Sequence, residues 1–314
     1  MTTISQVPLH SYHGLITMDD VIIIGGSFAG LAGALQLGRA RRKVTVLDTG
    51  LPRNRFAGHS HGLLGHDHKP PLDILAEARR QLARYPTIRL VNARADGVSG
   101  TIDDFSVPTA DGKSLGARRV ILSYGVIDQM PDVPGFAEGW GTSIVPCPYC
   151  DGFEVAGQHW GVVWSGPQSH NSVRLFRDWT DKLTVFADGH DIPPDIQADL
   201  GRRHIPVVEG RISKITRHGG HTATIILDTG RNVAVDILFA LPRNKPSASL
   251  HESLGLATVD TPSGIVLKVD ERRQTSMPGI YAAGDLTTPF LPSVTQASSQ
   301  GAMAGIFAQQ SMLV

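Results

Sequence analysis

The chain has 314 residues, with 29 basic and 29 acidic side chains and a hydrophobic content of 41%. This length suits about two ordinary domains, and the balanced charge gives no indication of a protein that binds nucleic acids or membrane surfaces. No apolar run is long enough to span a membrane. Residues 1–18 lack the basic and apolar regions of a secretory signal, so we expect a flexible leader and a cytoplasmic location.

The first structural unit follows this leader. The apolar run Val21–Ile24 predicts a buried parallel strand, a helix of small residues comes next, and Lys43–Leu47 predicts a second strand. The turn before the helix is typical of a dinucleotide-binding loop, in which the backbone approaches a pyrophosphate. Asp48 ends the second strand, where a carboxylate can accept from a ribose hydroxyl. The candidate contacts in the turn are Gly25, Ser27, Phe28, Ala29 and Gly30. A glycine-rich turn without a ligand is the less favoured alternative.

Later segments continue the alternation of helices and strands. Residues 70–84 predict an amphipathic helix, and we expect strands around 88–91, between 98 and 115, and over 119–123. From residue 125 the chain is rich in Pro and Gly, which is typical of a crossover between domains. A second βαβ unit follows, with strands over 161–164 and 183–186, and then a hairpin over 218–235 and a strand over 237–241. A strand ending within 279–285 and a helix over 293–307 complete a predicted α/β fold.

Cys147 and Cys150, in the motif CPYC, are the only cysteines of the chain. Their spacing permits a disulfide or half of a tetrahedral zinc site, but no second CxxC or CxxH motif supplies the other zinc ligands. Asp151 follows directly, and a carboxylate beside a dithiol can move the thiol proton as an acid or base. The sequence therefore favours a redox-active pair over a zinc site or two inert buried thiols.

Four histidines form a second conspicuous group in the segment HSHGLLGHDH. They are His59, His61, His66 and His68. Such alternation can bind a metal, but Asp67 is the only carboxylate nearby. We favour a loop whose imidazoles bond to backbone, water or a ligand, and we assign no residue to a metal. One of these histidines could face the redox centre.

Three motifs in the same order resemble the low-molecular-weight thioredoxin reductases: VIIIGGSFAG, CPYCDGFE and YAAGD. The resemblance extends over nearly the whole chain beyond residue 18. It implies two Rossmann-like domains of three layers (ββα), the second inserted into the first. The FAD-binding domain would comprise residues 19–127 and 243–314, and the inserted NADPH-domain-like region, which carries CPYC, would comprise 128–242.

The resemblance also implies roles for individual residues and a homodimer. Gly284 and Asp285 would contact the ribityl-phosphate part of FAD, and Thr295 and Gln296 would direct the closing helix at the isoalloxazine ring. Asp151 would be the acid/base residue. Cys147 would exchange with substrate, whereas Cys150 would lie nearer the flavin.

The inserted region departs from the reductases. Trp164 stands where a glycine would admit a pyrophosphate, and Pro167 has no N–H to donate. Asp188 and Asp191 follow the next predicted strand, where reductases have arginines for the 2′-phosphate of NADPH. These departures bring the chain closest to the NADPH-independent, FAD-dependent dithiol oxidases of the gliotoxin, holomycin and romidepsin type. The segment that contains Arg53 and Asn54, which we predict to bind the cofactor, also resembles this subgroup.

The sequence thus predicts an FAD-dependent dithiol oxidase that forms a disulfide in a small molecule, with O2 as acceptor. A protein dithiol or disulfide is the other substrate class, and no nucleic-acid or membrane partner is expected. The first alternative is a disulfide reductase supplied by ferredoxin, another flavoprotein or, less favoured, NADPH. A non-enzymatic FAD-binding or metal-binding protein is the alternative from another class. Loop 287–292 is expected to border the flavin.

Overall fold

A computed structural model describes residues 18–313 of the chain. The predicted leader therefore lies outside the described residues except for Met18, as does residue 314. The strands are β1 Asp19–Ile24, β2 Val44–Asp48, β3 Ile88–Asn92, β4 Ser99–Thr101, β5 Asp104–Pro108, β6 Ser114–Leu122, β7 Val126–Asp128, β8 Ile144–Val145, β9 Trp160–Val163, β10 Leu183–Phe186, β11 Val207–Val208, β12 Ile212–Arg217, β13 Ala223–Leu227, β14 Asn232–Val235, β15 Ile237–Phe239, β16 Asn244–Pro246, β17 Thr258–Thr261, β18 Gly264–Leu267 and β19 Ile280–Ala282.

The helices are α1 Phe28–Arg39, α2 Pro71–Leu82, α3 Phe136–Gly139, α4 Pro148–Asp151, α5 Gln168–Phe176, α6 Pro194–Arg202, α7 Leu250–Ser253 and α8 Val294–Gln310. Two 3-10 turns, Arg53–Phe56 and Gly284–Thr287, complete the set. No helix within residues 18–313 is both long and apolar enough to cross a membrane.

The first sheet is built around β1. Its order is β3-β2-β1-β6-β5-β4, and β19 pairs with β6 in parallel. Strands β3, β2, β1 and β6 are parallel, because helices α1 and α2 make the connections on one face. Val21, Ile22 and Ile23 are fully buried, as expected for a parallel strand that is covered on both faces.

The second sheet interrupts the first one in sequence. Its order is β11-β10-β9-β15-β8, all parallel, and the antiparallel sheet β12-β13-β14 accompanies it. All these strands lie between residues 144 and 239, whereas the first sheet and the sheet β17-β18-β16-β7 take strands from both sides of this stretch. The chain therefore has two Rossmann-like units, one inserted into the other.

The two connections to the inserted unit pair with each other. Strand β7 leads out of the first unit and β16 leads back, and the two form an antiparallel ladder. Asn244 lies opposite Asp128, and Pro246 lies opposite Val126.

Helices α1 and α8 approach each other through glycine. A Cβ placed on Gly301 would lie 2.0 Å from the carbonyl oxygen of Ala29, and one on Gly305 would lie 2.6 Å from that of Gly33. Backbone therefore contacts backbone at this crossing, which brings the starts of the two helices close together.

The predicted elements are largely confirmed, with two corrections. The strands expected before 115 and over 119–123 are partly one strand, β6, because its residues pair continuously first with β5 and then with β1. Strand β12 was not predicted, and it adds a third strand to the hairpin of β13 and β14. The strand expected to end within 279–285 is confirmed as β19, and a 3-10 turn begins after it at Gly284.

Candidate active site

The glycine-rich turn after β1 has no room for side chains. Gly25 has a φ of +108°, and a Cβ on it would lie 2.2 Å from the carbonyl oxygen of Ser123. A Cβ on Gly30 would lie 1.8 Å from the carbonyl oxygen of Gly25. Only glycine fits at both positions, so the turn brings backbone N–H groups to the surface of the first unit.

The N-terminus of α1 is open to an anion. Its N-cap residue, Ser27, makes no side-chain capping hydrogen bond, and the first turn contains no acidic residue. The first N–H groups of a helix have no partner within the helix and carry the positive end of its dipole. The residues Ser27, Phe28 and Ala29 therefore fit the pyrophosphate of a dinucleotide.

Asp48 lies at the end of β2, beside this turn. Arg79 of α2 donates from Nη2 to Oδ2 of Asp48 at 2.7 Å and to the carbonyl oxygen of Gly26 at 3.3 Å. This contact fixes the orientation of the carboxylate and leaves Oδ1 to accept from a ribose hydroxyl.

Gly284 and Asp285, in the motif near the C-terminus, lie close to the turn after β1. Gly284 has a φ of +77°, and a Cβ on it would lie 3.1 Å from the Cβ of Ala29. Asp285 accepts from Nη1 of Arg53 at 2.8 Å, and Nε of Arg53 donates to Asp128 at 2.9 Å. Asn54 follows Arg53 in the same 3-10 turn and is partly buried. One guanidinium thus joins the turn at 284–287 to β7.

Arg53 is held in its charged form. Burial by itself lowers its pKa, but the hydrogen bonds and charges of Asp128 and Asp285 outweigh burial and raise that pKa. The Asp128 side chain is only 4% exposed, so the guanidinium neutralises a carboxylate that water scarcely reaches.

The start of α8 is bound to two other segments. Thr295 donates from Oγ1 to the carbonyl oxygen of Gly62 at 3.2 Å. Gln300 accepts at Oε1 from the backbone N–H of Gly284 at 3.0 Å, and its Nε2 donates to Oε1 of Gln296 at 3.3 Å. The predicted cofactor contacts Gly284, Thr295 and Gln296 therefore lie together at the start of α8.

Cys147 and Cys150 are free, partly buried thiols on either side of the first turn of α4. The Cys150 thiol donates to Cys147, which lowers the pKa of Cys147 although burial opposes this, and the N–H groups of Cys150 and Tyr149 add to the effect. The same hydrogen bond, together with burial, raises the pKa of Cys150. Cys147 is therefore the cysteine that ionises first.

Asp151 lies next to these thiols in a partly buried position. Burial raises the pKa of its carboxyl group to about 6, against the charges of His61 and His221, which lower it; the charge of Glu154 adds to the increase. A carboxyl group with such a pKa exchanges protons near neutral pH.

The histidine loop, which we define as residues 59–68, lies between the cysteines and α8. His61 donates from Nδ1 to the carbonyl oxygen of Cys150, and Gly62 accepts from Thr295 as described above. His59 and His68 are exposed, and His66 lies 3.2 Å from Nζ of Lys69. Of the four histidines, His61 is the one that contacts the CPYC segment directly.

The corresponding loop of the inserted unit differs from the turn after β1 in its residues and in its hydrogen bonds. Trp164 is only 2% exposed at the end of β9. The backbone N–H of Ser165 donates to Oγ of Ser169 at 3.0 Å, and Pro167 is the residue before α5. The loop therefore offers fewer free N–H donors than the turn after β1.

The segment after β10 is occupied by structural contacts. Asp188 accepts at Oδ1 from the backbone N–H of Ile212 at 2.8 Å. The side chain of Arg211 packs against Gly189, because a Cβ placed on that glycine would lie 2.7 Å from Cγ of the arginine. The sequence argument overlooked this single guanidinium, which comes from the segment before β12.

Sequence reasoning missed four residues around the site. Glu154 follows the quoted CPYC motif but was given no role, and Arg79 lies in a helix read only for its amphipathic pattern. His221 and Gln300 carry no local signal, because only the fold brings them to Asp151 and Gly284.

Comparisons with known proteins agree with this geometry. The profile of the family "Pyridine nucleotide-disulphide oxidoreductase" matches residues 19–301. The thioredoxin reductase sirT of Leptosphaeria maculans is 34% identical over 304 residues, which cover 91% of this chain and 92% of the relative.

Two solved structures are similar. The oxidoreductase from Agrobacterium tumefaciens is 42% identical, with a TM-score of 0.89, over 95% of this chain and 99% of that one. Thioredoxin reductase from Streptococcus pyogenes, at 21% identity, shares the fold with a TM-score of 0.83 over 95% and 99% of the two chains. The chain therefore belongs to the pyridine nucleotide-disulphide oxidoreductase family, as a thioredoxin reductase-like flavoenzyme that acts on disulfides and uses FAD.

Proposed function

We propose that this flavoenzyme is a dithiol oxidase: a dithiol and O2 give an intramolecular disulfide and hydrogen peroxide. The observation that carries the proposal is the position of the CPYC segment. It is bonded through His61 to the histidine loop, which in turn contacts the start of α8, whereas the loop after β9 in the inserted unit lacks two backbone donors, one used by Ser169 and one absent at Pro167. In the proposal the dithiol therefore lies beside the FAD site, and no second dinucleotide takes part.

In this proposal residues 19–127 and 243–314 form the FAD-binding domain and residues 128–242 the inserted domain. Sheet membership supports this division, because the second and third sheets take no strand from outside 144–239. Bound FAD supplies the two-electron couple between the dithiol and O2. The residues that would hold it are Gly25, Ser27, Phe28, Ala29, Gly30, Asp48, Arg53, Asn54, Gly284, Asp285, Thr295 and Gln296.

The two cysteines have different roles in the thiol–disulfide exchange. A substrate thiolate attacks Sγ of Cys147 in the oxidised pair, the S–S bond breaks, and Cys150 leaves as a thiolate. The second substrate thiolate then attacks the substrate sulfur of the mixed disulfide, and Cys147 leaves. The depressed pKa of Cys147 favours this last step, because a thiol of lower pKa is the better leaving group. The substrate is oxidised by two electrons, and the pair is reduced by two.

Asp151 supplies the proton that the first step requires. The pKa of Cys150 is raised by its hydrogen bond to Cys147 and by burial; burial persists while Cys147 is in the mixed disulfide, so the Cys150 thiolate leaves more easily if it is protonated. Asp151, with its pKa of about 6, is adjacent and holds a proton in slightly acidic solution. When the reduced pair is reoxidised, the same carboxylate can take the proton back.

The inserted unit supports a reaction without NADPH. A pyrophosphate needs close backbone approach and free N–H donors, but the bulky Trp164 follows β9, Ser169 accepts from the N–H of Ser165, and Pro167 has no N–H. Asp188 would repel a 2′-phosphate, and Arg211 alone faces this segment. Without NADPH, the domain rotation of reductases serves no purpose, and the dithiol can stay beside the cofactor.

Exposed apolar side chains on three neighbouring segments support a small apolar substrate. Phe153 is 80% exposed next to CPYC, Leu64 is 99% exposed in the histidine loop, and Phe290 is 70% exposed in loop 287–292. In the proposal these three side chains contact the apolar part of the substrate. A homodimer in the cytoplasm is part of the proposal, on the family resemblance alone.

The test uses the FAD-loaded protein without oxygen. We expect dithiothreitol to bleach the flavin absorbance within seconds and NADPH at millimolar concentration to leave it unchanged. Rapid bleaching by NADPH would favour a reductase and reject the proposal.

Oxygen uptake separates the oxidase from a reductase with another donor. With dithiothreitol as substrate, we expect one H2O2 per disulfide formed in the wild type and none above background in Cys150→Ser. The matched control is Ser143→Ala, a buried position on the same segment outside CPYC. A wild type that is reduced by the dithiol but not reoxidised by O2 would contradict the proposed acceptor.

A further inference from the structure

His61, His68 and Glu154 lie close together beside the cysteine pair. The redox reaction proposed above assigns no chemical step to any of them. Nε2 of His61 lies 3.2 Å from Nδ1 of His68 and 3.5 Å from Oε1 of Glu154. One ligand atom from each residue lies within 4.8 Å of those of the other two. A tetrahedral zinc ion, with bonds of about 2.0–2.1 Å, separates its ligand atoms by about 3.3 Å. Two of the distances are therefore already those of a zinc site.

The outer contacts of both imidazoles fix which nitrogen faces the centre. The carbonyl oxygen of Cys150 can only accept, so Nδ1 of His61 carries the proton and Nε2 presents a lone pair. Nε2 of His68 lies 3.6 Å from Oδ2 of Asp67, which in turn accepts at Oδ1 from the N–H of Gly62 at 2.8 Å. At this distance the carboxylate attracts the His68 ring without a hydrogen bond, and Nδ1 of His68 faces Nε2 of His61.

Without a metal, a proton between Nε2 of His61 and Nδ1 of His68 holds the two imidazoles together; a divalent cation would replace that proton and draw in the carboxylate of Glu154. Metal-bound histidines in proteins show the same arrangement, in which the second ring nitrogen donates to a carbonyl or a carboxylate. His68 also has a φ of +62°, a conformation that non-glycine residues rarely adopt. The loop thus places this imidazole against His61 despite an unfavourable backbone.

We propose that His61, His68 and Glu154 form a binding site for a divalent transition metal, with Zn²⁺ as the best match. Two imidazoles and one carboxylate are a common zinc ligand set that leaves a fourth position for water. The site attaches the histidine loop to the segment after CPYC. The sequence argument set a metal aside because only Asp67 was nearby; the fold supplies Glu154 as the missing carboxylate ligand and gives Asp67 the role of orienting His68.

The experiment measures Zn²⁺ binding by equilibrium dialysis and calorimetry on the FAD-loaded, oxidised protein without a polyhistidine tag. We expect one Zn²⁺ per chain, with affinity reduced on the order of tenfold or more by His68→Ala and by Glu154→Gln. Both side chains are substantially exposed, at 61% and 30%, so these variants should fold normally. His66→Ala, in the same loop but outside the cluster, is the matched control and should bind like the wild type.

A second variant separates this cluster from the dithiol, which could itself bind zinc. Cys147→Ser combined with Cys150→Ser should retain the Zn²⁺, and Co²⁺ bound to it should give tetrahedral d–d bands without a thiolate charge-transfer band. Loss of binding in this double variant, equal binding in Glu154→Gln, or no stoichiometric binding to the wild type would each overturn the proposal.

Discussion

His61 and Cys150 are joined by a hydrogen bond from the imidazole Nδ1 to the carbonyl oxygen of the cysteine. Because His61 lies before α2 and Cys150 lies in the inserted unit, the contact connects two parts of the fold at the redox pair. It also places an imidazole beside Asp151, whose pKa it lowers against the larger effect of burial. The pH behaviour of this carboxyl group can be measured directly.

Asp151→Asn should lose the proton transfer to Cys150 while retaining the shape of the side chain. Below pH 6 we expect single-turnover oxidation of dithiothreitol to be slower by roughly 10²–10⁴-fold than in the wild type. The ratio of the wild-type rate to the rate of Asp151→Asn should then fall by about tenfold per pH unit above 6, because Asp151 loses its proton there. Stopped-flow measurement of both proteins cancels the common effect of substrate ionisation, and a constant ratio from pH 5 to 8 would exclude this role.

The same carboxyl group should make folding stability depend on pH. Its pKa rises from 3.8 to about 6 on folding, so the protonated form is favoured in the native state. The resulting stabilisation is complete below pH 3.8 and is lost as the pH rises through 6. The unfolding free energy of Asp151→Asn minus that of the wild type should therefore increase by up to about 3 kcal/mol from pH 4 to pH 8. Urea titrations at both pH values measure the change; a difference independent of pH would contradict it.

The acidity of Cys147 should depend on the donor at position 150. Cys150→Ser keeps a hydroxyl that can donate to Cys147, whereas Cys150→Ala removes the donor. We expect the pH midpoint for iodoacetamide alkylation of Cys147 to be higher in Cys150→Ala than in Cys150→Ser, because the hydrogen bond from Cys150 is the main cause of the lowered pKa. Equal midpoints would mean that the backbone N–H groups alone stabilise the thiolate.

Arg53→Ala should destabilise the protein and weaken FAD binding. It leaves the 4% exposed side chain of Asp128 without its guanidinium, which costs about 3–5 kcal/mol for a buried pair. Arg53→Lys should recover only part of this, because an ammonium group cannot hold two carboxylates in the same planar geometry. Thermal denaturation and the rate of FAD release measure the effect. Arg55→Ala is the control, since Arg55 is exposed and donates to the carbonyl oxygen of Pro52.

Gly301→Ala should disrupt the crossing of α1 and α8. The new Cβ would lie 2.0 Å from a backbone carbonyl oxygen, so the helices must separate, at a cost of about 1–3 kcal/mol or more. Gly201→Ala in α6 is the matched control: its Cβ meets no atom within 4 Å, and it should be neutral or stabilising by up to about 1 kcal/mol. Denaturant midpoints of the two variants give the comparison.

Local patterns were sufficient for most of the fold. The run Val21–Ile24 is apolar on both faces and could only be a buried strand, and proline marks the start of α2. Strand β12 escaped prediction because its burial alternates irregularly, with Lys214 next to Ser213 on exposed positions. Its place in a sheet depends on pairing with β13 rather than on its own pattern.

The candidate site was predictable where chemistry is concentrated in short motifs and not where it depends on distant segments. The residues of CPYC and Asp151 are contiguous, so spacing alone indicated their chemistry. The contact of Arg53 with both Asp128 and Asp285 could not be read from the sequence, because three separate segments meet there. Glu154 shows the same limit: its approach to His61 depends on how the inserted unit lies against the first.

The ladder of β7 and β16 determines where the inserted unit can bend. Both connections leave the first unit as paired strands, and Arg53 holds the end of one of them at Asp128. Gln129 still donates to the carbonyl oxygen of Arg243, whereas Pro134 and Ala240 are already bonded to strands of the inserted unit, so a change in the angle between the two parallel sheets would fall on residues 130–133 and 241–242. Proline substitutions or a disulfide in those two adjacent segments would therefore stiffen the connection between the units without touching the cysteine pair.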